Sequence, residues 1–129
     1  MTTEHAIEIF AVVNFVVVGL SHIVQPRVWV EFFVMLRAKG YSGVFVNGML
    51  SLLVGSLIAA FHNVWTGWPA VLTVIGWAQI LKALIALTAP RVSMKGLTRV
   101  SMDRAWEFQA GGVVFLAISA AIAWGWRAG

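Results

Sequence analysis

Cysteine is absent from this chain, and charge is scarce: five acidic and nine basic residues in 129, or 11% charged. The first absence excludes disulfides, zinc–thiolate sites, iron–sulfur clusters and thiol redox chemistry by the chain itself. The second excludes an ordinary soluble domain, which carries about 25% charged and about 45–50% apolar residues. Here the apolar share is 60%, more than a domain of this size can enclose in water. Soluble catalytic signatures are missing too: there is no Gly-rich phosphate loop, no nucleophile elbow and no pair of carboxylates in one apolar run. A net charge of +4 is no nucleic-acid signal, because the basic residues fall between the apolar runs, where they act as topology signals. No cleavable leader is expected, since Glu4 and Glu8, rather than basic residues, precede the first run.

What is present is four apolar runs, at about 6–24, 43–61, 68–89 and 105–126. Each approaches the ~20 residues that a helix needs to cross ~30 Å of hydrocarbon. Backbone groups in lipid must be satisfied internally, so the runs are expected as helices. Strands of a membrane barrel would alternate in segments of ~10 residues, and nothing here alternates. The fold class predicted is therefore all-α: an integral membrane four-helix bundle forming a single transmembrane domain over 1–129.

The connections differ. Gln25–Ser42 opens with Pro26, and its Val28, Trp29, Phe32, Phe33 and Leu36 recur at helical spacing, which predicts an amphipathic helix at the interface. His62–Gly67 is short and uncharged, and Pro90–Arg104 is polar and basic. Arg27, Arg37 and Lys39 in the first connection, with Arg91, Lys95, Arg99 and Arg104 in the third, make seven of the nine basic residues. The positive-inside rule then puts these connections in the cytoplasm and both termini outside, in a membrane expected to be the bacterial cytoplasmic one. Trp65, Trp68, Trp124 and Trp126 belong to the outer aromatic belt, and Trp29 and Trp106 to the inner one. Trp77 alone falls mid-membrane.

Two segments repeat. Gln25-Pro26-Arg27-Val28 returns as Ala89-Pro90-Arg91-Val92, and Ser56–Phe61 resembles Ser119–Trp124, at offsets of 64 and 63 residues. They read as two copies of a helix–basic loop–helix unit related by an axis along the membrane normal. The competing reading is that Pro-Arg after a membrane helix, and Ala, Ile and Ser within one, are simply common.

Gly19-Leu-Ser-His22, then Pro26, an amphipathic stretch, Gly40 and the small-residue second span Asn47–Gly55 resemble the DoxX-like group of small four-span membrane proteins. That resemblance covers about the first 60 residues. It implies a compact four-helix bundle, associated in some members with quinone-linked sulfur oxidation or oxidative-stress complexes. The sequence departs from the group at His22, which stands where a lysine of a Gly-x-x-Lys motif is usual.

Polar residues inside a membrane are costly and mark function by default. His22, Asn47, Gln79, Lys82 and Glu107 are expected at similar depth in the cytoplasmic half, as a polar pocket with a Lys82–Glu107 ion pair and a titratable His22. Lys82 lies eight residues before Pro90, about 12 Å inside the end of its helix. The competing reading has Lys82 snorkelling along its own stem and Glu107 pairing with Arg104, three residues back. At the opposite face, His5, Glu8 and His62 form a second group, with oxygen and imidazole donors suited to a divalent metal; ordinary interfacial polarity is the preferred reading, and no metal is expected. His22 and His62 fall near opposite faces, which disfavours one bis-histidine haem. Asn47, Ser51, Gly55 and Ala59, with Gly111, Gly112 and Ser119, give small-residue faces for close helix packing, within the chain by default.

Three functions fit these features. The first is a non-enzymatic accessory or assembly subunit, held by lipid and by a protein partner or a second copy, with no nucleic acid and no cofactor readable. The second is a small oligomeric transporter or channel using the polar pocket. The third, implied by the resemblance, is a quinone-linked redox protein.

Overall fold

The computed structural model describes residues 1–128, of which the great majority are helical. Six helices follow one another: α1 (Thr3–Val24), α2 (Pro26–Ala38), α3 (Tyr41–Phe61), α4 (Ala70–Thr88), α5 (Pro90–Thr98) and α6 (Trp106–Ala128), with a 3₁₀ turn at Met102–Arg104. The helices α1, α3, α4 and α6 are long and apolar enough to cross a membrane, as an integral membrane protein requires. Their bounds lie within three residues of the predicted spans.

Local chemistry sets the boundaries. Thr2 caps α1, its Oγ1 accepting from the His5 N–H at 3.1 Å, which satisfies one of the orphan donors of the first turn. Pro26 and Pro90 open α2 and α5 at the one place in a helix where a missing N–H costs nothing. The residues before them, Gln25 (φ −125°, ψ 52°) and Ala89 (φ −136°, ψ 64°), share one non-helical conformation, as proline demands of its predecessor. Gly40 joins α2 to α3 with φ 67°, a left-handed backbone that glycine adopts without strain. Just beyond it the two helices touch backbone to backbone: a Cβ on Gly43 would sit 1.8 Å from the Leu36 carbonyl oxygen.

The four long helices pack chiefly as two pairs, α1 with α6 and α3 with α4. Ala11, Ile58, Leu72 and Ile122, one from each, form a fully buried cluster joining the pairs. Small residues permit the close approaches. A Cβ on Gly48 would lie 2.8 Å from the Ala86 Cβ, and one on Gly112 would lie 3.0 Å from the His22 Cβ. Of the small residues read from the sequence, Gly55 and Gly112 are engaged inside the chain, whereas a Cβ on Gly111 would meet nothing within 4 Å.

The short helices α2 and α5 lie together at one end, where Val44, Ala86 and Leu97 form a second core cluster backed by Phe33 and Met94. Here the third connection departs from its reading as a polar loop, since Pro90–Thr98 is helical with Leu97 turned inward. Arg37 holds the arrangement. Its Nη1 donates to the carbonyls of Leu97 (3.2 Å), Thr98 (3.4 Å) and Val100 (2.9 Å). These carbonyls lie at or just past the end of α5, where the Leu97 oxygen also accepts from the Val100 N–H at 3.2 Å, and a cation suits the negative end of the helix.

Candidate functional site

At the α2/α5 end a cavity of about 360 Å³ opens between α3, α4, α5 and α6. Its polar lining is Lys82, Asn47 and Ser93, and Phe33 and Phe108 form aromatic walls. The two rings stack on each other with centroids 5.6 Å apart. The volume is at the small end of the range for ligand pockets, which are mostly apolar with a few convergent polar groups. Lys82 takes part in none of the ion pairs found among the described residues.

Of the five residues expected to form one pocket, Asn47 and Lys82 do meet here. The other three lie elsewhere. His22 is buried at the corner of α1, α2 and α6, where its Nδ1 donates to the Val18 carbonyl at 2.8 Å. Its ring stacks on Trp29 at 4.2 Å and meets Phe108 and Phe115, while Trp29 Nε1 donates to Ser21 Oγ at 2.9 Å. Gln79 packs beside Gly55 on the face that α4 turns to α3. Glu107 accepts from Arg99 at 2.8 Å, so neither the Lys82 pair nor the Arg104 pair forms. The reason is geometric: the 3₁₀ turn separates α5 from α6 and brings Arg99, eight residues back, across to the first turn of α6. This ion pair borders a second, adjoining cavity of about 240 Å³.

The opposite end holds a closed polar network. Glu8 and His62, 54 residues apart, meet with Oε1 and Nε2 at 2.8 Å, and His62 is fully buried. Trp126 Nε1 donates to Glu8 Oε2 at 2.6 Å, and His5 Nδ1 stands 3.6 Å from the same oxygen. The other side of the imidazole, Nδ1, is 2.9 Å from Thr73 Oγ1. Thr73 Oγ1 also lies 2.7 Å from the Val64 carbonyl oxygen and 3.4 Å from the His62 carbonyl oxygen, and it accepts from the Val64 N–H at 3.1 Å.

The three residues expected at this face, His5, Glu8 and His62, are thus brought together, but by hydrogen bonds that occupy both His62 nitrogens. Among the described residues no set of three or more His, Asp or Glu side chains is arranged to hold a metal ion. Thr73 and Trp126 were not singled out by sequence for this network. Trp126 reads there as a belt residue, and only its pairing across α1 and α6 gives its N–H a carboxylate. Trp77, expected mid-membrane, is exposed, and its Nε1 donates to Asn63 Oδ1 at 3.2 Å.

Comparison with protein-family models, with curated proteins and with solved structures gave no match.

Proposed function

We propose that this chain is a four-helix integral membrane bundle that binds an anionic amphiphile in the cavity beside Lys82, as a small carrier or transporter rather than an enzyme. One observation carries the reading. Lys82 is a cation within a membrane-length helix, without a carboxylate in ion-pair reach among the described residues, on the wall of a cavity that Asn47 and Ser93 also line. A charge at such depth is expensive unless it is paired. An anionic head group supplies the pair, and the aromatic and aliphatic walls suit an apolar body.

The proposed topology places α2, α5 and the cavity on the cytoplasmic side, with both termini outside. Its support is the gathering of Arg27, Arg37, Lys39, Arg91, Lys95 and Arg99 on or beside the two short helices. Internal duplication is part of the same proposal, and several settings support an offset of 64. Pro26 and Pro90 open the short helices; Ile58 and Ile122 are fully buried in one cluster. Gly48 packs against Ala86 and Leu87, and Gly112 against His22 and Ile23. A two-fold operation that exchanges α1–α2–α3 with α4–α5–α6 also exchanges the α3/α4 pair with the α6/α1 pair. The DoxX-like resemblance is proposed on Gly19, His22 and Pro26, of which His22 and Pro26 lie at the corner between α1 and α2 while Gly19 packs against Gly112 and Phe115 of α6.

The test is purification in native lipid followed by native mass spectrometry. Wild type is expected to carry a bound small acid or acidic lipid that Lys82→Met loses while still inserting. Recovery with other polypeptides instead would make the chain an accessory subunit. Equal ligand on Lys82→Met and wild type would leave Lys82 as a snorkelling residue.

A further inference from the structure

The 64-residue register also compares the two inner corners of the molecule. In the first half, the corner between α1 and α2 is filled by the chain's own rings: His22 and Trp29 stack at 4.2 Å, with Phe32 edge-on to Trp29. The matching positions in the second half are Ala86 for His22, Ser93 for Trp29 and Gly96 for Phe32. None carries a ring. All three line the 360 Å³ cavity, and Lys82 stands there at the position matching Val18. The cavity is thus the space that two or three aromatic side chains fill in the other half, and its remaining walls include Phe33 and Phe108.

Interiors pack to near-crystalline density, so a recess bounded by aromatic walls is best completed by a group of the same shape. Aromatic pairs add to area burial when stacked or edge-on, and a flat ring is already rigid. The polar groups of the recess fix the rest of the ligand: the Lys82 ammonium donates to an anionic oxygen, and Asn47 and Ser93 offer further hydrogen bonds.

We infer that the cavity takes a planar aromatic acid, its ring seated where Trp29 sits in the first half and its acidic oxygen on Lys82. This rests on the ligand-binding reading above and narrows it from any anionic amphiphile to a ring-bearing one.

The test is equilibrium dialysis of the full chain in lipid nanodiscs against three probes, with protein-free nanodiscs subtracting partition into lipid. The probes are 2-naphthoate (ring and charge), decanoate (charge without ring) and 2-methylnaphthalene (ring without charge). Wild type is expected to retain 2-naphthoate in preference to both others, and Lys82→Met to bind it about tenfold more weakly or worse, as loss of a charge-assisted hydrogen bond implies. Gly96→Phe and Ser93→Trp restore the rings of the first half and are expected to abolish retention. A Cβ on Gly96 meets nothing within 4 Å, so that variant has room to fold, and its melting temperature is expected to equal or exceed that of wild type. Equal retention of decanoate would overturn the ring while leaving the anionic-amphiphile reading intact. Naphthoate retention that survives both filling variants would place the probe elsewhere and overturn the inference. Retention of neither acid by wild type, or equal retention of the uncharged ring, would overturn both readings.

Discussion

Thr73 illustrates how much one hydroxyl organises. It accepts from the Val64 N–H and lies within hydrogen-bond distance of His62 Nδ1 and the Val64 carbonyl, so Thr73→Val keeps the shape and strips the partners. Leaving such buried groups unsatisfied costs about 1–3 kcal/mol, and Thr73→Val is expected to lose stability in that range when unfolded by SDS titration in mixed micelles. Thr73→Ser, which keeps the hydroxyl, is expected to lose less. This network was only half legible in the sequence. Glu8, His5 and His62 stand out because ionisable residues are rare in such a chain, but their convergence depends on which helices pair, and no local pattern encodes that. Glu107 teaches the same point: its nearest basic residues in sequence suggest Arg104, whereas the turn before α6 delivers Arg99.

Among the elements, α5 is the one sequence reading overlooked. Nine residues with Gly96 in the second turn and two basic side chains give little helical periodicity, and side-chain contacts to the carbonyls at the end of α5 come from Arg37, about 60 residues earlier. Hydrogen bonds from a charged donor are worth about 1.5–3 kcal/mol. Arg37→Ala is therefore expected to speed amide hydrogen exchange across 95–100 by about tenfold or more, with Arg37→Lys intermediate. The α2–α3 corner allows an independent check. Because a Cβ on Gly43 would lie 1.8 Å from the Leu36 carbonyl oxygen, Gly43→Ala must push α2 off α3. Overpacking of this kind costs about 1–3 kcal/mol, read as a lower melting temperature. The long helices themselves are legible to within three residues, since a run of some 20 apolar residues has few other structures open to it in lipid.

For the molecule as a whole, the natural lack of cysteine makes the proposed topology directly measurable. Thr66→Cys, between α3 and α4, is expected to react with a membrane-impermeant maleimide in intact cells. Ser101→Cys, between α5 and α6, is expected to react only after permeabilisation. The reverse pattern would invert the topology and put the Lys82 cavity on the outer side. Composition and periodicity carry the architecture this far, but the cavity itself was only partly foreseen. Asn47 and Lys82 were expected to share a pocket; Ser93 and Gly96, which also line the recess, are small residues that draw no attention in the sequence.

The pairing of α1 with α6 also bears on how the molecule is made. Val24 ends the first long helix and Trp106 begins the last, 82 positions later, so during synthesis α3 and α4 can meet long before α1 finds its main neighbour. Until then the Glu8 carboxylate waits without the Trp126 indole, and the face around Gly19 lies open. A chain stalled before α6 thus leaves Glu8 with His62 but without the Trp126 donor, a mark by which unfinished copies differ from finished ones.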